Sequence, residues 1–216
     1  MAADPIPPRR MAYLERIAER EHARLGLGTH GEGSGEATAD KHWAQLPLPV
    51  DVEAIAAWHG LVVRRVVGDL YAHIERNNLD GTPLSGMFDF MNGEILVRVD
   101  QVSARQRFTI AHELAHYLID DHAALYGGTV RYTVDAGGLT RSADFAGQPS
   151  ERQVLIERAE LEADSLAGML LMPPRLVDVA VAEFGPSVAL VAARFGVSAG
   201  AMRHNMTAYL PELQWL

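Results

Sequence analysis

The chain contains no cysteine among its 216 residues, which excludes disulfide bonds and thiolate metal ligands. This absence is compatible with a reducing compartment, and we expect the protein to be cytoplasmic. Long apolar runs are also missing: none approaches the roughly 18 residues of a membrane-spanning helix, so we expect no membrane segment. The first ten residues have no apolar core of the kind found in signal peptides, so we expect no signal peptide.

Positive charge is scarce. The chain has 19 basic and 28 acidic side chains and a formal net charge of −9. Contact with phosphates needs a basic surface, so this balance disfavours direct nucleic-acid binding. It favours a partner with a basic surface, such as a DNA-binding protein. Apolar residues make up 48% of the chain, which is ordinary for a globular protein and sufficient for a core.

The most specific motif consists of His112 and His116, with Glu113 directly after the first histidine. In a helix, residues i and i+4 share one face, so both imidazoles can reach one metal ion and Glu113 can reach a water beside it. The surrounding residues are apolar with a helical period, and Ser103 with Gln106 predicts a capping box just upstream. Histidines turned inward among apolar residues need a partner, which a metal ion provides. The pattern His-Glu-x-x-His is typical of zinc peptidases, with the glutamate as catalytic base.

A catalytic zinc site has three protein ligands, so one more must come from elsewhere in the chain. Because cysteine is absent, it must be His, Asp or Glu. A second long helix is predicted for residues 157–172, where Glu160 and Asp164 share one face. We assign Glu160 as the third ligand and Asp164 as the acceptor of the second ring N–H of a ligand histidine. Glu162, on a different face from Asp164, is the alternative ligand.

Residues 108–118 (FTIAHELAHYL) and 160–173 (ELEADSLAGMLLMP) together resemble the ImmA/IrrE family of metallopeptidases. Shorter stretches agree, and the resemblance covers about residues 46–210. One departure follows the second histidine of the motif. The family often has another histidine one turn later, where this chain has Asp120, with His122 two residues further on.

The resemblance implies an α+β fold. We expect a small zincin-like, gluzincin-type domain whose short twisted sheet packs on the His-Glu-x-x-His helix and on a second, glutamate-bearing helix. A C-terminal helical subdomain resembling a helix-turn-helix is expected to follow. The implied activity is that of a metal-dependent endopeptidase with Zn²⁺, or Mn²⁺ as a substitute. The implied substrate is a helix-turn-helix repressor, whose cleavage would derepress mobile-element or stress-response genes.

The sequence divides into three predicted parts: an N-terminal helix and linker in residues 1–45, the peptidase core in residues 46–174, and the C-terminal helical subdomain in residues 175–216. The first helix is predicted for residues 9–25 and a flexible glycine-rich linker for residues 26–40. Three histidines of this first part, His22, His30 and His42, are predicted to be solvated.

Within the core, Asp51 is predicted to cap a short helix, and β-branched runs at residues 61–67 and 94–99 predict strands. We expect the second strand to be an edge beside the cleft, where an extended substrate would add a further strand. An ordinary sheet strand without a substrate role is the alternative. Residues 130–134 and 139–145 predict either a hairpin or a mobile flap.

The C-terminal part is predicted to form helices at about residues 175–184, 187–195 and 199–210. From residue 175 onward there are three arginines, no lysine and three acidic residues, which argues for packing or substrate docking rather than DNA binding. Two other functions remain open: a non-catalytic regulator with a structural metal, and a DNA-binding regulator. The candidates for stabilising an oxyanion are Tyr126, Tyr132 and His122, and the sequence does not choose among them.

Overall fold

The computed structural model describes residues 6–26, 48–68, 70, 84–125, 130–134 and 151–209. Residues 27–40 of the predicted linker, the segment 139–145 and the side chains of His30, His42, Tyr126 and Tyr132 fall outside the described part of the chain. The predictions made for them therefore stay predictions.

The described residues form an α+β fold of eight helices and four strands. The helices are α1 Pro8–Arg24, α2 Val52–Trp58, α3 Ser103–Leu118, α4 His122–Leu125, α5 Glu151–Leu171, α6 Pro174–Phe184, α7 Val188–Phe195 and α8 Ala199–Tyr209. The strands are β1 Val62–Val66, β2 Leu84–Asp89, β3 Glu94–Arg98 and β4 Val130–Val134. The predicted mixed fold class is confirmed.

The sheet has the strand order β1-β3-β2-β4, with β1 parallel to β3 and β2 antiparallel to both of its neighbours. Strand β3, predicted as residues 94–99, is therefore an interior strand, and the expectation that it forms an edge beside the cleft is wrong. Edge or interior position depends on long-range pairing, which the local β-branched pattern does not contain. Among the described strands, β1 and β4 lie at the two edges.

Helix α3 lies against β2 and β3 and comes close to the sheet at one point. A Cβ atom added to Gly86 of β2 would meet Cγ2 of Thr109 and lie 3.0 Å from the carbonyl oxygen of Leu96. Glycine at this position therefore lets the helix approach the sheet backbone. The inward residues Ile110 and Leu114 of α3 are fully buried there. This contact places the motif helix on the sheet.

Helix α5 packs against both α3 and α1. It begins earlier than predicted, at Glu151, and ends at Leu171. Helix α1 buries Leu14 and Ile17 in the same core. His22, predicted to be solvated, is also buried, and its Nε2 lies 3.1 Å from the carbonyl oxygen of Leu170. The prediction failed because an isolated histidine on a charged helix carries no local sign that another helix covers it.

The two predicted N-terminal caps have different outcomes. Asp51 caps α2, accepting the backbone N–H of Ala54 at 3.0 Å, as predicted. The predicted capping box at Ser103 and Gln106 is wrong, because Ser103 already lies inside α3, whose N-cap is Val102. The side chain of Gln106 instead donates to the carbonyl oxygens of Val99 and Gln101, at 3.2 and 2.7 Å. These two hydrogen bonds connect α3 to the turn that precedes it.

The three predicted C-terminal helices are confirmed as α6, α7 and α8, with ends that differ by at most one residue. Their buried side chains join the core that also contains residues of α1, α3 and α5. The domain boundaries after residues 45 and 174 stay a prediction. Among the described helices, none alone is long and apolar enough to cross a membrane; α5 and α6 pass that test only as a pair, bent by 52°.

Candidate metal centre

Helices α3 and α5 bring three potential metal ligands together. The donor atoms of His112, His116 and Glu160 all lie within 4.8 Å of one another. The two Nε2 atoms are 3.2 Å apart. Oε2 of Glu160 is 3.4 Å from Nε2 of His112 and 3.9 Å from Nε2 of His116. The spacing of four residues within α3 thus places both rings on one face, opposite the glutamate of α5.

These distances suit a zinc ion. Ligand atoms bound about 2.0–2.1 Å from a tetrahedral zinc ion lie about 3.4 Å from one another. The three separations in the structure lie within about half an ångström of that value. Two imidazoles and one carboxylate also form the donor set of a catalytic zinc site. Both rings are buried, whereas the Glu160 side chain is 21% exposed, so the group opens to solvent on the glutamate side.

The electrostatics of His112 show that the group favours positive charge. Burial lowers the pKa of this ring, but its contacts with Asp164 and Glu160 outweigh burial and raise the pKa to about 9. The two carboxylates therefore stabilise a cation at the buried ring. A divalent ion at Nε2 would be stabilised by the same two carboxylates, and its binding would displace the ring proton.

Asp164 lies where the sequence places it. Its Oδ1 is 2.7 Å from Nδ1 of His112, the ring nitrogen that faces away from Glu160. The Asp164 side chain is 56% exposed, so water also reaches this contact. Glu113, the predicted base, is fully buried beside His112 on α3. Its catalytic role stays a prediction.

Glu162, the alternative ligand, lies in a different cluster. Its Oε2 is 3.2 Å from Nε2 of His122 and accepts Nε and Nη2 of Arg10, at 2.8 and 2.6 Å. Burial raises the pKa of this carboxyl group, but His122 and Arg10 outweigh burial and lower the pKa to about 2. The carboxylate is therefore ionised, and the geometry favours Glu160 as the third ligand.

His122, which the sequence offered only as one of three open candidates for stabilising an oxyanion, lies beside the site. Its Nδ1 lies 2.8 Å from Nδ1 of His116, so both of its ring nitrogens already have partners. It is buried, and these two contacts favour a packing role; its candidacy as oxyanion stabiliser stays a prediction. The departure from the family pattern at Asp120 was the available signal, because it moves the extra histidine by two residues without removing it.

Comparison with known proteins identifies the family of the chain. A family model described as the IrrE N-terminal-like domain, Peptidase_M78, matches residues 70–129 and 149–207. The matched residues include His112, His116 and Glu160, here called the donor group, but not α1. No curated protein matches the chain.

Among solved structures, the fold is similar to that of a Mycobacterium tuberculosis transcriptional regulator, with a TM-score of 0.50 and 18% sequence identity. The similarity covers 91% of this chain and 46% of the other, so this chain spans about half the length of that protein. At this identity the likeness concerns the fold alone.

Proposed function

Since the chain belongs to the IrrE N-terminal-like family of metal-dependent proteases, we propose that it is a zinc endopeptidase that cleaves one specific protein. The convergence of His112, His116 and Glu160 within 4.8 Å carries the proposal. These residues lie inside the matched part of the chain and form the donor set of catalytic rather than structural zinc sites.

In the proposed mechanism, His112, His116 and Glu160 hold the metal ion. A zinc ion held by these residues would act as a Lewis acid towards the scissile carbonyl and would lower the pKa of a water molecule. Glu113 accepts the proton of the attacking water and passes it to the leaving amine. Asp164 keeps the ring of His112 in the tautomer that presents Nε2 to the metal. Manganese could replace zinc with the same ligands.

We further propose that the substrate is a helix-turn-helix transcriptional repressor, whose cleavage derepresses mobile-element or stress-response genes. The resemblance of residues 108–118 and 160–173 suggests this substrate class. The net charge of −9 supports it, because repressors that bind DNA carry basic surfaces. The same charge argues against direct DNA binding by this chain.

The first experiment measures metal content after purification and zinc supplementation. We expect one zinc ion per chain, lost in Glu160→Ala because a two-histidine site lacks its third ligand. Far-UV circular dichroism of the variant checks that it remains folded. A wild-type chain that binds no metal after supplementation would contradict the peptidase function.

The second experiment incubates the zinc-loaded chain with a helix-turn-helix repressor encoded beside its gene, and detects fragments by mass spectrometry. We expect cleavage at a defined site by the wild type and none by Glu113→Gln, which keeps the metal but lacks the base. General-base catalysis typically contributes about 10²–10⁴-fold to the rate. Full activity of Glu113→Gln would contradict the mechanism. Binding without cleavage by the wild type would favour the non-catalytic regulator.

A further inference from the structure

A buried line of polar contacts runs from His116 away from the metal-ligand group. Nδ1 of His116 is 2.8 Å from Nδ1 of His122, and Nε2 of His122 is 3.2 Å from Oε2 of Glu162. Glu162 in turn accepts two N–H groups of Arg10. Both rings and the carboxylate are buried. Arg10, Glu162 and His122, here called the relay, connect α1, α5 and α4 to the motif helix.

The positions of the protons along the relay follow from the groups at its two ends, His116 and Arg10. When Nε2 of His116 faces a metal ion, the ring proton must sit on Nδ1, which then donates to His122. Nδ1 of His122 is therefore an acceptor, so the proton of His122 sits on Nε2 and donates to Glu162. The carboxylate of Glu162 accepts hydrogen bonds from this N–H group and from two N–H groups of Arg10. Every polar contact in the relay is satisfied when His116 has the tautomer that a metal ligand needs.

Helix α1 also holds the turn that carries His122. Nη2 of Arg10 lies 2.6 Å from Oδ1 of Asp121, and the hydroxyl of Tyr13 donates to Oδ2 of Asp120 at 3.1 Å. The Arg10 guanidinium stacks 4.9 Å from the centre of the Tyr13 ring. One turn of α1 thus contacts the Glu162 carboxylate, which orients His122. The same turn contacts Asp120 and Asp121, which precede His122 in the chain.

We propose that Arg10, Glu162 and His122 are positioning residues, which hold His116 in the ring orientation and tautomer required for metal binding. Helix α1, outside the family-matched residues, is then part of the metal centre. The inference rests on the proposed function, because it requires that His116 binds a metal ion. Loss of such a hydrogen-bonded partner behind a metal ligand typically lowers metal affinity about 10–100-fold. A purely structural cluster would instead lower stability and leave the affinity of the folded protein unchanged.

The test measures the zinc affinity of the full chain by competition with a chromogenic chelator. Arg10→Met should weaken zinc binding about 10–100-fold, whereas Arg16→Met, an exposed position on the same helix, should leave it unchanged. His122→Phe should weaken binding to a similar extent. His122→Gln should recover most of the affinity, because its amide oxygen can accept from His116 and its amide nitrogen can donate to Glu162.

Cobalt substitution gives a second readout, since the visible spectrum of bound Co²⁺ depends on the geometry of its ligands. We expect His122→Phe to change this spectrum and His122→Gln to restore it. Folded variants with wild-type zinc affinity and cobalt spectra would overturn the inference. Equal losses in the two His122 variants, or variants that do not fold at all, would also overturn it by assigning the cluster to stability. A wild type that binds no zinc would instead contradict the proposed function itself.

Discussion

At the residue scale, the two histidines of the motif differ in the residue that contacts Nδ1, the ring nitrogen on the side away from the proposed metal. His112 contacts Asp164, whose side chain is 56% exposed. His116 contacts His122, which is buried behind it. Water can replace a partner at the exposed contact but has little access to the buried one. The two ligands should therefore differ in their sensitivity to loss of that partner.

Substitution of Asp164 tests the exposed contact. We expect Asp164→Ala to weaken zinc binding about tenfold, the lower end of the usual range for such partners, because water can replace the carboxylate. Asp164→Asn, which keeps an oxygen acceptor for His112, should weaken binding less. Chelator competition measures both affinities, and Glu157→Ala on the same helix is the control. Wild-type affinity in Asp164→Ala would show that this contact does not support the ligand.

His22 should make stability depend on pH. Burial lowers the pKa of this ring below its ordinary value of 6.5, although Leu170, Glu21 and Glu19 act in the opposite direction. The unfolded chain therefore binds a proton that the folded chain does not, so stability is lost as pH falls below 6.5 towards the lower folded pKa.

The check is the free energy of unfolding of the metal-free chain, measured by urea denaturation between about pH 7.5 and 5.5. His22→Gln, which keeps an N–H donor for the Leu170 carbonyl, should lose less stability across this range than the wild type. His204→Gln, on the exposed face of α8, is the control for removal of a histidine. An equal pH dependence in wild type and His22→Gln would contradict the buried neutral ring.

The sequence predicted the residues of the donor group because their spacing is local. Positions i and i+4 on one helix determine that His112 and His116 share a face, and the same rule pairs Glu160 with Asp164. The relay was not predicted, because Arg10 and Glu162 are separated by 152 positions. No helical period connects them, and the contact exists only once α1 has packed against α5.

At the element scale, the close approach of α3 to the sheet depends on a single glycine. A Cβ at Gly86 would overlap Cγ2 of the buried Thr109. Gly86→Ala should therefore lower the free energy of unfolding by about 1–3 kcal/mol, as overpacking in a core does. Adding Thr109→Ser, which removes the clashing methyl group, should recover part of this loss.

Urea denaturation checks this prediction, with Gly168→Ala in α5 as the control. At Gly168 an added Cβ has Met172 as its nearest neighbour, at an ordinary 3.9 Å, so alanine should be neutral or stabilising in the helix. A Gly86→Ala chain as stable as the wild type would show that α3 can shift at little cost.

The elements themselves were largely predictable, but their arrangement was not. Hydrophobic period and punctuation indicated α1, α2, β1, β3 and the three C-terminal helices. The order of strands in the sheet places β3 between β1 and β2, which no local pattern encodes. Where a helix begins depends on which nearby group accepts hydrogen bonds from its first backbone N–H groups. At Ser103 the side-chain pattern suggested a capping box, which the folded chain does not form.

At the scale of the whole molecule, the metal-ligand group joins parts that are distant in sequence. The motif comes from α3, the proposed third ligand from α5, and the proposed relay reaches α1 near the start of the described residues. Only part of this assembly lies within residues 70–129 and 149–207, which the family model matches. The N-terminal helix therefore lies outside the matched residues, and Arg10 is its contribution to the contacts behind the candidate site.

The charge of the whole molecule gives the last prediction. With a net charge of −9, the chain should bind a basic repressor partly through long-range attraction, which salt screens. Glu113→Gln is expected to leave the proposed repressor uncleaved, so the affinity of this variant can be measured by titration at two salt concentrations. We expect roughly tenfold weaker binding at 0.5 M than at 0.05 M sodium chloride, chiefly through slower association. A gel-shift assay with DNA and without repressor is the control and should show no complex, because the phosphate backbone repels an acidic surface. Affinity that does not change with salt would contradict electrostatic docking, and a salt-sensitive DNA complex would favour the DNA-binding regulator.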